Sequence, residues 1–410
     1  MSKIIIFDLA TTGHHSTYIK YLVEDWLKRT DDHELHLVVS STFNEKFCEI
    51  VKLATSDDRR RVEVHGITSS EQLKYETLKR KKRYLSRVLF EYVLVRRYVK
   101  TVDASHCVLM YFDHFQIPLA LGLIAGCTLF GIYFRPSFHY DSSKMQNFDS
   151  KGLDRKTRLK RYVQKYLLSR ALKNRSLQKL FTLDPYSVAP IQAMQPKPDI
   201  VYLCDPVKPV NLDKHSVAEF KAALGIESAR KTFLQFGSLN RRKGIQQLLH
   251  AIKLLSDEAA RKVCLLLVGS ELNPEDTQVD LELELLTSSP IQIIRCAEFV
   301  TDDEVPYYFA ATDFVLAPYQ KHVGMSGLLM QAAVANKPIL ASDYGLVGQL
   351  VREHRLGLTY DSASPAAIAR CLTIAINSQE ENIDVDKARA FVQQNVSSAF
   401  SQKIFDTVCA

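Results

Sequence analysis

No two cysteines in this chain stand in a C-x-x-C pair. The eight that occur, at 48, 107, 127, 204, 264, 296, 371 and 409, are scattered, and no histidine sits beside them at metal-ligand spacing. Read by spacing, that excludes a zinc ribbon and a disulfide scaffold, and it fits buried thiols in a reducing, cytoplasmic compartment. No G-x-S-x-G elbow and no P-loop lysine motif is present, which removes two common hydrolase and nucleotide-binding signatures. The N-terminal stretch lacks a signal-peptide core, because Asp8 interrupts the apolar run after Lys3. It reads as a first β-strand.

Long uncharged runs are also nearly absent. Residues 115–134, FQIPLALGLIAGCTLFGIYF, are the exception, twenty residues without a charge, the length that spans a bilayer. Pro118, Gly126 and the β-favouring run from Thr128 to Phe134 argue instead for a buried helix over 117–125 followed by a buried parallel strand. What the chain does have is an ordinary globular composition, 46% hydrophobic and 24% charged. With 410 residues this excludes disordered and collagen-like classes and suggests two or three domains.

Acidic residues are scarce in the first half only. Residues 211–410 carry 19 Lys/Arg against 24 Asp/Glu, so the net charge of +7 divides into −5 there and +12 in residues 1–210. Two segments hold most of the excess: 74–100, with ten cations against two glutamates, and 151–179, with eleven against one aspartate.

Strand and helix patterns alternate along the chain. Strands are expected at 3–9, 34–40, 61–65, 106–112, 128–134, 177–182 and 199–203, with helices at 16–30, 70–101 and 152–175. Four prolines within 195–213 break the series. A second series follows, with strands at 231–237, 262–268, 291–295, 313–317 and 338–341 and helices between them, then helical segments at 364–377 and 384–408. Such alternation means βαβ crossovers. The expected architecture is two doubly wound Rossmann-like α/β domains facing across a cleft, over 1–205 and 206–385, with a C-terminal helix at 386–410 returning toward the first. Ligands in such sheets bind beyond the carboxyl ends of the strands.

Three segments carry chemistry at those ends. L-A-T-T-G-H-H-S-T places Gly13 at the first strand-to-helix turn, where backbone N–H groups favour an anion or, equally, make a plain turn. F-G-S-L-N-R-R-K-G-I, residues 236–245, places Gly237, Arg241, Arg242 and Lys243 ahead of a helix, a cradle for a diphosphate or a solvated basic helix start. G-M-S-G, residues 324–327, precedes an apolar helix in which Gln331 is a polar side chain needing a partner. In the first half, Asp113 and His114 follow one strand and Arg135 and His139 the next.

The chain resembles glycosyltransferase family 4, on the GT-B fold, over essentially its whole length, and the matching pieces lie in its second half: F-G-S-L-N-R-R-K-G-I, L-L-L-V-G-S at 265–270, E-F-V-T-D-D-E-V at 298–305, and G-M-S-G-L-L-M-Q-A followed by N-K-P-I-L-A-S-D. The resemblance implies a retaining, metal-independent transfer of a hexosyl group from a nucleoside-diphosphate sugar to a hydroxyl acceptor, with no further cofactor. It places the donor against Gly13, Gly237, Arg242, Lys243, Phe299, Ser326, Gly327, Leu328 and Gln331, with Lys243 on the diphosphate. It places His114, Asp113, His139 and Arg135 near the reaction centre. Two departures stand out. Ser238 replaces the arginine that often follows the first glycine, and the E-x7-E glutamates map to Val323 and Gln331.

The basic segments leave two readings open. Either 74–100 and 151–179 lie on an anionic membrane surface, placing the protein peripherally on the inner face near a lipid-linked or polysaccharide acceptor, or their apolar stripes pack on the sheet with the charges solvated. No nucleic-acid module is recognisable. Two rival functions also remain: a GT-B protein that binds without catalysing, and one that couples a cyclitol or amine.

Overall fold

The computed structural model describes residues 2–410 except 12, 14, 31, 57–60, 141–154, 270–278, 287, 299 and 379–382, and describes Lys156 by its backbone alone. Contacts divide the chain into two compact units. One is built from the residues up to His139, from Arg155 to Pro206, and from Val396 onward; the other comprises Val207–Asn395.

The first unit is a parallel sheet of seven strands, β1 (Lys3–Asp8), β2 (Glu34–Val39), β3 (Val62–Gly66), β4 (His106–Leu109), β5 (Thr128–Tyr133), β6 (Leu177–Thr182) and β7 (Asp199–Tyr202), in the order β3-β2-β1-β4-β5-β6-β7. An interior strand, β1, shows how its layers arise. Ile5 and Phe7 of β1 enter one core with Tyr92, Val95 and Leu168, while Ile4 and Ile6 enter another with Leu22, Trp26 and Phe405. Apolar side chains on both faces are what a strand covered by helices on two sides requires. The second unit repeats the plan with six parallel strands, β8 (Lys231–Phe236), β9 (Val263–Val268), β10 (Gln292–Cys296), β11 (Phe314–Ala317), β12 (Ile339–Ser342) and β13 (Gly357–Tyr360), ordered β10-β9-β8-β11-β12-β13. In each sheet the order reverses beside the first strand, at β1/β4 and at β8/β11. Loops leaving there diverge and open a crevice at the carboxyl edge.

Four local expectations are revised. The basic stretch 70–101 is two helices, Ser69–Arg80 and Tyr84–Val102, because Lys82 takes a positive φ of 53° inside the run of five cations from Lys79 to Arg83. The uncharged run 115–134 yields only a short helix, Gln116–Ala120, before β5, and no helix among the described residues is long and apolar enough to cross a membrane. A strand at 357–360 was not anticipated. The C-terminal segment is also two helices, Val385–Gln394 and Ser397–Val408, with the division between units at 395 rather than 385. Only the last helix joins the first unit, burying Phe400, Ile404, Phe405 and Val408 against Trp26 and its neighbours.

Candidate active site

In the second unit the site forms at the β8/β11 crevice. Gly237 directly follows β8 and has a φ of 90°. The turn Arg241–Lys243 is capped by Asn240, whose Oδ1 accepts from the Lys243 N–H at 3.0 Å. Gly244 follows with a φ of 74°, and a Cβ there would lie 1.9 Å from the Pro318 carbonyl oxygen. Only glycine lets this loop close onto the segment leaving β11, where Gln320 N–H donates to the Arg242 carbonyl at 2.9 Å.

The turn folds Lys243 back over the end of its own sheet. Its Nζ donates to the Phe236 carbonyl at 3.3 Å and to the Tyr319 hydroxyl at 3.2 Å, and lies 3.2 Å from where a Cβ on Gly237 would be. Both partners are neutral, so neither offsets a positive charge at this place. The Tyr319 hydroxyl also bonds Ser326 Oγ at 2.7 Å. Ser326 is the N-cap of the helix Gly327–Val334, but its buried side chain, turned to Tyr319, makes no cap bond. The first amides of that helix, Gly327 and Leu328, therefore receive no side-chain acceptor from their cap. A lysine and a helix start whose first amides meet no side-chain acceptor among the described residues are joined by one tyrosine, an arrangement suited to an anion.

Arg242 is exposed and enters this loop through its carbonyl. Gln331 is half-buried, and its side chain makes no hydrogen bond among the described residues; Val323 lies in the loop ahead of it, its carbonyl accepting from Leu346 N–H at 3.4 Å. Phe299 lies outside the described residues.

In the first unit a pocket of about 200 Å³ opens at the β1/β4 crevice, lined among others by Asp8, His15, Tyr75, Arg87, Glu91, Tyr111 and His114. Asp8 is the last residue of β1. One carboxylate oxygen accepts from Ala10 N–H at 2.9 Å, and the other lies 2.6 Å from His15 Nδ1. Burial alone would lower the His15 pKa, but the charge and hydrogen bond of Asp8 outweigh it and raise the value. The protonated ring is thereby favoured.

His114 sits in a second polar set. Its Nδ1 is 3.0 Å from Glu91 Oε2, and Arg87 Nη2 approaches its Nε2 at 3.2 Å. Arg87 and Glu91 are one turn apart on the helix Tyr84–Val102 and pair with each other at 3.3 Å. Since Arg87 can only donate, Nε2 accepts and Nδ1 carries the proton to Glu91.

Two of the residues expected near the reaction centre, Asp113 and His139, make structural bonds. Asp113 accepts from the Phe134 and Arg135 N–H groups at 3.0 and 3.1 Å and so ties the turn after β4 to the end of β5. Its enclosure raises its pKa against the Phe134 bond and the nearby Arg135 charge. His139 Nε2 lies 3.0 Å from Asp184, a buried carboxylate that also accepts from Tyr186 N–H and caps the turn Pro185–Ser187. That pair belongs to the end of β6. Arg135 is exposed, with its guanidinium 5.9 Å from the Tyr111 ring at the pocket rim. Gly13 is an exposed turn residue with a φ of 78°. Sequence reasoning missed Asp8, His15, Arg87 and Glu91. A signal for Asp8 existed, a lone carboxylate ending an apolar strand.

Residues 230–378 match the family model described as glycosyl transferases group 1. That segment holds β8 to β13, the whole second sheet. The chain is 23% identical over 192 residues to YtcC of Bacillus subtilis (strain 168), a glycosyltransferase by designation, a match that covers 46% of this chain and 47% of that protein. The chain thus spans about half the length of the curated relative it matches. Among solved structures it is similar to the N-terminal domain of Candida albicans trehalose-6-phosphate phosphatase, with a TM-score of 0.70 and 12% identity over 100% of this chain and 97% of that one. It is also similar to Anabaena HepE in complex with UDP-glucose, with a TM-score of 0.65 and 14% identity over 100% of both chains. The fold of this chain is GT-B.

Proposed function

We propose that this protein is a retaining glycosyltransferase that moves a hexosyl group from a nucleoside-diphosphate sugar to a hydroxyl acceptor without a catalytic metal. The observation that carries the reading is the Lys243 ammonium at the β8/β11 crevice, held by neutral groups and linked through Tyr319 to the N-terminus of the helix Gly327–Val334. In the proposed step the bond from the sugar's anomeric carbon to the diphosphate breaks as the acceptor oxygen bonds to that carbon from the same face, and the acceptor proton passes to the leaving diphosphate. Lys243, with the amides of Gly327 and Leu328, stabilises the departing charge. Arg242 and Gln331 complete the donor contacts, Gln331 offering an amide to a ribose hydroxyl. The solved complex of HepE with UDP-glucose supports a donor of this class.

The acceptor belongs to the pocket of the first unit. His15 and the His114, Glu91 and Arg87 set supply directional polar groups beside the rings of Tyr75, Tyr111 and Phe115, a mixture that suits a polyhydroxylated ligand. A membrane-borne acceptor is favoured by the helix Arg155–Ala171. It leaves Leu159, Tyr162, Val163 and Tyr166 exposed at i, i+3, i+4 and i+7, on a helix whose charged residues are all Lys or Arg.

A second reading, a GT-B protein that binds nucleotide without turnover, is favoured by the uncharged Val323 and Gln331. Transfer and hydrolysis assays with UDP-, GDP- and ADP-sugars, alongside nucleotide binding by calorimetry, separate the two. Turnover of one donor class is expected. Binding without turnover would establish the second reading, and neither binding nor turnover at millimolar donor would overturn both.

A further inference from the structure

Two E-x-H pairs lie 29 residues apart in sequence, Glu34-Leu35-His36 and Glu63-Val64-His65. The parallel pairing of β2 with β3 sets His36 beside Glu63, and Val38 beside His65. Alternation along a strand then puts all four polar side chains on one face. Three ligand-type atoms converge there. His36 Nδ1 lies 3.0 Å from His65 Nε2 and 3.4 Å from Glu63 Oε2, and the last two are 3.6 Å apart.

We propose that His36, His65 and Glu63 bind one divalent transition ion of the zinc type. The triangle has the size such an ion needs: zinc bonds imidazole nitrogen and carboxylate oxygen at about 2.0–2.1 Å, which makes the edges of its tetrahedron about 3.3 Å long. An ion at that distance from all three atoms stands about 0.7 Å out of their plane, as a tetrahedral centre does, and leaves a fourth position for water. Two imidazoles and one carboxylate select zinc, copper or cobalt over calcium and magnesium, which prefer oxygen donors.

The second nitrogen of His36 is also provided for. Its Nε2 faces Glu34 Oε2 at 3.4 Å, and Lys3 approaches that same oxygen at 3.8 Å. A carboxylate behind a ligating imidazole keeps the proton on the outer nitrogen and turns the inner lone pair toward the metal. With His36 Nδ1 so disposed, all three facing atoms are acceptors unless His65 turns a proton inward, and an ion relieves that crowding. Since β3 is the edge strand of its sheet, the ion clasps the edge to its neighbour. The site is two strands removed from β4, stands apart from the proposed transfer, and does not rest on it.

The test uses the full chain, stripped with a chelator and then titrated with ZnCl2 against a chromophoric chelator, and separately with CoCl2 in the visible range. One ion per chain and a four-coordinate cobalt spectrum are expected. Glu63→Gln should weaken zinc at least tenfold, and His65→Ala should remove the cobalt spectrum. Both positions are partly exposed, so the variants should fold, as unchanged circular dichroism would verify. Zinc should also raise the melting temperature of the wild type and not of His65→Ala, while glycosyl transfer stays the same in both. Equal zinc affinity in wild type and His65→Ala, or a stoichiometry well below one, overturns the proposal.

Discussion

Lys243 carries its role through charge held at a fixed place. Replacing it by alanine removes the ammonium and leaves Tyr319 and Ser326 paired. Lys243→Ala should therefore lower kcat/KM for the donor by about 10²–10³, the usual loss when one preorganised stabiliser of a developing anion is removed. An effect under twofold would remove it from the site. His15 makes a prediction of different form. Asp8 raises its pKa, so its positive form is the one present on the acid side, and a step that uses that form slows as pH rises through the raised value. His15→Gln should lower the rate and flatten this alkaline limb, and an unchanged profile would show that the ring takes no part. Residues such as Lys243 were legible because a short motif holds them. Arg87 and Glu91 were not, since their value comes from His114 arriving from another strand, and nothing along a basic helix marks a glutamate that folding will bury.

At the level of elements, twelve of the thirteen strands were readable from their apolar runs, because burial on two faces leaves few other compositions; β13, a short edge strand opening on Gly357, was not. Helix ends were less so. The break at Lys82 is set by repulsion within a cation run and by a left-handed residue, neither of which alters the apolar period. The β2/β3 cluster was invisible for a related reason: His36 lies 27 and 29 residues from its two partners along the chain, and the spacing that matters runs across the ladder. The loop after β8 is the most constrained connection in the second unit. Gly244→Ala places a methyl group against the Pro318 carbonyl, and it should cost about 2 kcal/mol or more of stability and reduce donor binding with it. Urea unfolding and nucleotide titration of the same preparation check both.

The division of charge seen in the sequence follows the division of the molecule into units, with the cations concentrated on exposed helices of the first. If the helix Arg155–Ala171 meets a lipid surface, the wild type should sediment with anionic vesicles and not with neutral ones. A variant with Leu159, Tyr162 and Tyr166 changed to serine should stay in solution while still turning over a soluble acceptor. Persistent sedimentation of that variant would reassign the binding to charge elsewhere. Overall stability has its own pH dependence. Asp205, buried and bonded by the Tyr18 hydroxyl, has its pKa pushed up to about 6, chiefly by burial. The unfolded carboxyl titrates near 3.9, so the folded state holds the extra proton between the two values. The resulting stability is complete below about pH 4 and is lost as pH rises through 6, a change of roughly 2–3 kcal/mol. Asp205→Asn should abolish that slope, which urea unfolding from pH 4 to pH 7 would reveal.

The last helix, Ser397–Val408, closes the core that β1 and the helix His15–Trp26 begin. The second unit, Val207–Asn395, lies between those partners in the sequence. The first unit therefore begins to be made before the second and can close only after it. Until Ser397–Val408 has been synthesised, Trp26 and the apolar face around it lack that cover, a natural station for a chaperone.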